Sequence, residues 1–161
     1  MKAKYPFLVT IAVLLAQACA VKKPVAKQPL DLSQVKIKLQ DKKTFAFEKE
    51  GVFFSNNFPS ARVSQLAKVN DSTFNLTIEA ENRPINSSAW FAFKVWGKPK
   101  KNVYVNVLYP NDKHRYKPKI TTDGQQWQTL NEVKVNKEKT EASFKLQLSK
   151  DTLTVAAQEI I

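Results

Sequence analysis

The sequence predicts an all-β protein: an antiparallel β-sandwich of about eight or nine strands, after a signal peptide and a short linker. Three observations support this prediction. From Val35 onward, apolar and polar residues alternate with the period of two that half-buried strands require. Turn signals made of Asn, Asp, Ser, Gly and Pro recur about every ten residues. No segment has the apolar spacing of an amphipathic helix.

The first eighteen residues have the composition of a signal peptide. Lys2 and Lys4 precede an uncharged apolar run over residues 7–16 (FLVTIAVLLA). As a helix this run is about 15 Å long, or about half the thickness of a bilayer core. Its length favours a cleaved export signal over a membrane span. We therefore expect an exported protein, located in the periplasm or as a lipoprotein of the outer or cell membrane.

Cys19 is the only cysteine and directly follows this segment. It fits the acylated cysteine of a bacterial lipoprotein, so we predict lipidation at Cys19 and contact with the membrane through the lipid anchor. The alternative is an ordinary cleavage site, because Ala16-Gln17-Ala18 also fits the small-x-small pattern of signal peptidases. Residues 19–34 contain prolines and lysines without an apolar period and are expected to form a linker. Residues 35–161 are then the β-sandwich domain.

The first strands are predicted from alternating segments. Apolar residues alternate with lysines over residues 35–39, and Phe45 and Phe47 continue the pattern. A short apolar run at 52–54 follows. Residues 62–69 and 74–80 are predicted to pair as a hairpin, because the intervening Asn70-Asp71-Ser72 is a strong turn signal.

The most apolar segment, residues 89–96 (AWFAFKVW), is expected to lie in the centre of a sheet because both of its faces are apolar. After a turn at Gly97, residues 102–109 return with valines on one face. A long polar excursion over residues 110–126 contains an Asp123-Gly124 turn. The last strands are expected at residues 127–135, 142–148 and 153–157.

Residues for catalysis or metal binding are scarce. His114 is the only histidine, whereas a catalytic zinc site uses three protein ligands that usually include histidine. No His-x-x-Glu pair, C-x-x-C pair or Gly-rich phosphate loop occurs. We expect His114 to be solvated among the charged residues of its loop, and the pairs Glu48/Glu50 and Glu79/Glu81 to be solvated or ion-paired surface acids. No catalytic residue, metal ligand or cofactor is therefore predicted in this chain.

The formal net charge is +12, and much of the excess lies between Lys94 and Lys119, with eight basic residues against the single acid Asp112. These cations form two groups at opposite ends of a strand about 26 Å long, beyond the screening length of about 8 Å. The loop group is predicted to be a surface for an acidic ligand: Lys113, Arg115, Tyr116, Lys117 and Lys119. The alternative is that the lysines serve solubility and protect a sheet edge. Nucleic acid is not expected as a partner of an exported protein.

Three parts of the sequence resemble a known family. Residues 53–62 (FFSNNFPSAR) resemble the opening pattern of the domain that precedes the catalytic domain in zinc metallocarboxypeptidases of the cytosolic-carboxypeptidase type. Residues 90–97 (WFAFKVWG) resemble its W-F-Y-F-x-V-x-G strand, with Ala92 where tyrosine is usual. Tyr116 and residues 124–127 resemble its later Y…G…W region. We therefore interpret the chain as the N-terminal β-sandwich domain of a bacterial, exported relative.

The resemblance implies a non-catalytic accessory domain that packs on a C-terminal carboxypeptidase domain in cis and helps to shape its entrance. The zinc ligands of the family lie in that following domain and none maps onto this sequence, so zinc is expected only there. The sequence ends at Ile161 directly after an apolar strand, and we expect the peptidase domain to be absent from this chain. Trp90 and Trp96 are the candidate residues for packing against it.

Two other functions are compatible with the sequence. One is a stand-alone binding module, secreted or lipid-anchored, for a sugar or an acidic peptide, with Trp127, Tyr116 and Tyr109 as contacts for a sugar. Burial of Trp127 would argue against the sugar module. The other is a free-standing structural lipoprotein.

Overall fold

The computed structural model describes Ser33, residues 39–82 and residues 86–160. These residues form eleven β-strands and no α-helix, which confirms the predicted all-β class. The strands are β1 (Thr44–Phe47), β2 (Val52–Ser55), β3 (Gln65–Lys68), β4 (Thr73–Thr77), β5 (Ala92–Gly97), β6 (Asn102–Leu108), β7 (Lys119–Thr121), β8 (Gln128–Thr129), β9 (Val133–Val135), β10 (Glu141–Gln147) and β11 (Leu153–Ala156). The predicted signal peptide, Cys19, most of the predicted linker and most of the strand expected at 35–39 lie outside the described residues.

The strands form two sheets. The first sheet has six strands in the order β1-β2-β5-β11-β7-β8, and the second has five in the order β3-β4-β6-β10-β9. All neighbouring strands are antiparallel except β4 and β6, which are parallel. This exception arises because the chain leaves the second sheet after β4, forms β5 in the first sheet, and returns as β6. The predicted sandwich is confirmed, and so is the central position of β5, between β2 and β11.

The inner faces of the two sheets share one hydrophobic core. Phe54 of the first sheet and Phe74 of the second are both fully buried, with ring centroids 5.0 Å apart. Phe47 of β1 also contacts Phe74, at 4.8 Å between ring centroids. Alternate residues of the longer strands reach this core, as Phe93 and Val95 do in β5. The contacts between aromatic rings hold the two sheets together.

Two predicted boundaries were wrong. The single strand expected at 127–135 is divided into β8 and β9, which belong to different sheets. The Leu130 amide still donates to the Pro118 carbonyl (2.8 Å), which continues the β7–β8 pairing, and the chain leaves the first sheet after this residue. The polar excursion at 110–126 contains the short strand β7, which pairs with β11. Among the described residues, no helix has the length and apolar character needed to cross a membrane.

Candidate functional site

A cleft of about 690 Å³ lies between the loop at residues 112–117 and the side of β9. Four of the five residues predicted to bind an acidic ligand line it: Lys113, Arg115, Tyr116 and Lys117. The fifth, Lys119, does not. It belongs to β7 and its Nζ pairs with Glu159 Oε1 at 2.5 Å.

The structure adds residues that the sequence did not suggest. Lys139, from the turn between β9 and β10, contributes a further cation, while Val133 and Val135 of β9 supply apolar surface. These residues are distant in sequence from the basic loop, so only the sheet pairing brings them to it. Arg115 differs from the lysines, because its Nη2 is 2.7 Å from Asp112 Oδ2 and its charge is compensated.

The basic loop is held in place by His114, which is 8% exposed rather than solvated, so that prediction was wrong. Its Nδ1 is 3.0 Å from Tyr109 Oη, and its ring stacks on Phe91 with centroids 6.3 Å apart. Its amide donates to the Lys139 carbonyl at 2.6 Å. Burial lowers the pKa of His114, although a hydrogen bond with the Tyr116 main chain acts in the opposite direction. His114 is therefore a structural anchor between the loop and the β9–β10 turn.

Trp96 lies on the outer face of the first sheet, whereas Phe91 and Phe93 point into the core. Trp90 precedes β5 and packs, partly buried, against the same core. Both tryptophans are half-buried. The ring of Trp96 stacks on Phe53, with centroids 5.7 Å apart and planes 16° apart. The indole N–H of Trp90 donates to the Ser60 carbonyl at 2.9 Å.

Close to Trp96, the Lys94 ammonium lies over the Phe58 ring at 5.1 Å from its centroid. We call the set Phe53, Phe58, Lys94 and Trp96 the outer aromatic face. Since its rings are only half-buried, this face still presents apolar surface on the outside of the sandwich.

One glutamate of each predicted acidic pair forms an ion pair with a basic residue. Glu50 forms an ion pair with Lys68, and the hydrogen bond from that ammonium lowers the pKa of Glu50. Glu81 Oε2 lies 3.5 Å from Arg62 Nη1. Within the described residues, no group of three or more His, Cys, Asp or Glu side chains is arranged to hold a metal ion. These residues do not fit a catalytic zinc, and no hydrolytic step is assigned to them.

The aromatic residues proposed for sugar binding are not presented together. Tyr109 is 2% exposed, and burial raises the pKa of its hydroxyl. Trp127 is half-buried, and Tyr116 is half-buried at the cleft. Because Tyr109 cannot present its ring to a ligand, the predicted trio does not form a stacking platform.

A family model described as the cytosolic carboxypeptidase N-terminal domain matches residues 54–157. The chain belongs to this family. This match covers more than half of the chain and confirms the resemblance first seen in residues 53–62 and 90–97. No curated protein sequence matches the chain.

Solved structures of carboxypeptidases have the same fold over part of their length. A metallo-carboxypeptidase from Burkholderia cenocepacia has a TM-score of 0.53 and 14% identity, over 68% of this chain and 29% of its own. One from Pseudomonas aeruginosa has a TM-score of 0.52 and 17% identity, over 67% and 30%. A protein described as a carboxypeptidase A, from Shewanella denitrificans, has a TM-score of 0.52 and 19% identity, over 64% and 28%. The cytosolic carboxypeptidase N-terminal domain thus corresponds to less than a third of each of these chains.

Proposed function

We propose that this domain is the non-catalytic accessory part of an exported zinc metallocarboxypeptidase-like protein, where it packs on a peptidase domain in cis and helps to shape the entrance. The observation that carries the proposal is the family match over residues 54–157. The structural neighbours support it, because each is a carboxypeptidase chain about three times as long as the region that aligns.

The outer aromatic face is the surface we assign to this packing. Trp96 and Phe53 form a stacked pair on the outside of the central strands, where a solvent-facing sheet would ordinarily carry polar residues. Aromatic rings are enriched in the centres of protein interfaces because each buries a large apolar area. The outer face of the second sheet is more polar, with Asn75, Asn106 and Lys145 along it.

The first test is to extend the protein beyond Ile161. We expect the reading frame to continue into a segment that encodes a His-x-x-Glu pair and a later histidine, the ligand types of a catalytic zinc. The whole product should remove C-terminal residues from peptides and lose this activity to a chelator. A stop codon followed by unrelated sequence would contradict the proposal.

The second test addresses the packing surface in that whole product. Trp96→Ser is expected to lower the unfolding temperature of the peptidase domain or its rate of peptide hydrolysis. Tyr104→Ser is the matched control, because Tyr104 is 44% exposed on the outer face of the second sheet. Equal effects of the two substitutions would argue against the outer aromatic face.

Export and lipidation form the remaining part of the proposal and are supported by the apolar run at residues 7–16 and by Cys19. Cells that express the chain should incorporate labelled fatty acid into it, and Cys19→Ser should abolish the label. Labelling that persists in Cys19→Ser would exclude Cys19 as the lipidation site.

A further inference from the structure

The cleft beside β9 has apolar surface on one wall and cations on the other. Val135 is 43% exposed, and Val133 is partly buried against the core. The facing loop carries Lys113 and Lys117, and Lys139 stands at the end of the cleft. A volume of about 690 Å³ is within the range of sites that bind small molecules or short peptides.

The main chain of β9 has a free edge. Among the described residues β9 pairs only with β10, so its other side has no strand partner. The main-chain N–H of Asn136 donates to the Glu141 carbonyl oxygen (3.1 Å) across the β9–β10 pair. Because main-chain groups alternate along an antiparallel strand, those of Lys134 also face β10, while those of Val133 and Val135 face away. The Val133 amide donates to the Asn131 carbonyl (3.2 Å), so the free edge consists of the Val133 carbonyl and both main-chain groups of Val135. The strand therefore offers hydrogen-bonding groups at the spacing of an added strand.

The cations around the cleft are available for a ligand. Lys113, Lys117 and Lys139 are exposed and form no ion pair with the described residues, whereas Arg115 is paired with Asp112. His114 is buried behind the loop and its pKa is lowered, so it adds no charge at neutral pH. Three lysines against no unpaired acid in the cleft lining favour a negatively charged ligand.

The cationic wall is also fixed before a ligand arrives. His114 joins the loop to the β9–β10 turn through its amide bond to the Lys139 carbonyl (2.6 Å) and to the core through Tyr109 Oη (3.0 Å). Because the main chain of this wall needs no ordering on binding, only the lysine side chains lose conformational entropy there.

We propose that this cleft binds an extended acidic peptide, which adds as a strand along the free edge of β9 and places its carboxylates at Lys113, Lys117 and Lys139. The free main-chain edge favours a peptide over an anionic lipid, because a lipid headgroup cannot satisfy donors and acceptors that repeat along a strand. The proposal goes beyond the accessory role and does not depend on a peptidase domain. It assigns peptide recognition to this domain itself.

The charge component is tested with two short, blocked peptides and the full chain. One peptide alternates valine and glutamate, and the other alternates valine and glutamine. The first should bind, with an affinity that falls as salt rises from about 50 mM to about 500 mM, and the second should bind at least about tenfold more weakly. Equal affinities would overturn the proposal.

Two triple variants localise the charge effect. Lys113→Gln, Lys117→Gln and Lys139→Gln together should weaken binding of the acidic peptide by at least about tenfold. The control, Lys49→Gln, Lys98→Gln and Lys150→Gln, makes the same change in net charge at exposed positions outside the cleft lining and should leave the affinity close to that of the parent. An equal loss in both variants would mean that only the overall charge matters, and the cleft would be excluded.

The strand component is tested at Val135. Val135→Pro removes the amide that faces the free edge, and proline is tolerated on an edge strand when its missing N–H faces away from the partner. It should therefore weaken peptide binding while thermal unfolding changes little, whereas Val135→Thr keeps the amide and should still bind. If Val135→Pro binds the acidic peptide with the affinity of the parent, strand addition at this cleft is wrong. It is also wrong if phosphatidylglycerol vesicles bind the chain and displace the peptide equally in both triple variants.

Discussion

At Gly97, the pairing of β2 with β5 leaves no room for a Cβ atom. A Cβ at this position would lie 2.3 Å from the Gly51 carbonyl oxygen and 3.1 Å from Leu148 Cδ1. The nearer obstacle is main chain, which cannot rotate away as a side chain can. The glycine that ends the W-F-x-F-x-V-x-G resemblance is therefore required by the approach of β2 to β5.

We predict that Gly97→Ala lowers the free energy of unfolding by about 1–3 kcal/mol, the range typical of overpacking. Gly124→Ala is the comparison, because a Cβ there meets nothing within 4 Å and only its φ of +74° opposes the change. Urea denaturation of both variants measures the difference. A smaller loss for Gly97→Ala than for Gly124→Ala would contradict the steric explanation.

His114 gives the domain a dependence on pH. Its pKa is lowered in the folded state by burial, whereas in the unfolded chain it is about 6.5. The unfolded state therefore binds a proton first as the pH falls, so this contribution to stability is present above about pH 6.5 and is lost as the pH falls towards the lower folded-state pKa. Because His114 is the only histidine, no other imidazole titrates in this window.

We predict that the thermal midpoint of the parent falls between about pH 7 and pH 5 more steeply than that of His114→Gln, which has no group to protonate. Differential scanning calorimetry at several pH values tests this. If the thermal midpoints of the two proteins fall equally with pH, the buried imidazole does not cause the pH dependence.

At the residue scale, alternation predicted one part of β5 well and the loop poorly. Residues 89–96 were expected in the centre of a sheet because both of their faces are apolar, and Phe91 and Phe93 are in the core. The burial of His114 was not predictable, because its partners Tyr109 and Phe91 are brought to it by the end of β6 and the start of β5. A short polar loop has no periodicity that would reveal such contacts.

At the scale of elements, long strands were predictable and short ones were not. The alternation of β6 and β10 persists over seven residues in each, and both were found with nearly correct ends. β7 and β8 have three and two residues, too few for a period of two to be distinguished from chance. The cleft was therefore only half predictable: its basic loop is visible in the sequence, but its β9 wall depends on where the chain changes sheets.

Asn56, at the end of the β1–β2 pair, connects this pair to the segment at Val63, which pairs with neither strand. It is completely buried, its Oδ1 accepts from the Lys43 amide (2.7 Å), and its Nδ2 donates to the carbonyls of Asp41 (2.8 Å) and Val63 (2.9 Å). This side chain thereby links the segment before β1 to the residues that flank the loop at positions 57–62.

We predict that Asn56→Ala lowers the free energy of unfolding by about 2–3 kcal/mol, because it leaves buried main-chain groups without partners. Asn57→Ala is the matched control, since Asn57 is the exposed neighbour and should change stability by less than about 0.5 kcal/mol. Chemical denaturation gives both values. A loss common to both variants would point to the turn rather than to the hydrogen bonds of Asn56.

For the whole molecule, the decisive feature is that the two sheets have one core rather than two. Phe74 of β4 contacts Phe47 and Phe54 across the sandwich, with ring centroids 4.8 and 5.0 Å away. Neither sheet can bury these rings alone, so the sheets should lose their structure together. If the two sheets unfold together, a destabilising substitution in the second sheet also destabilises the first sheet and its outer aromatic face.

We predict that Phe74→Ala costs about 3–5 kcal/mol, the range for truncating a buried phenylalanine. Amide hydrogen exchange should show the same loss of protection in β11 of the first sheet as in β6 and β10 of the second. We expect this because the core amides of all three strands should exchange only through global unfolding. Tyr104→Ala, on the outer face of the second sheet, removes an aromatic ring from the solvent side and should leave protection in β11 almost unchanged. If Phe74→Ala lowers protection in the second sheet while β11 keeps its parent value, the sheets unfold separately and the core does not couple them.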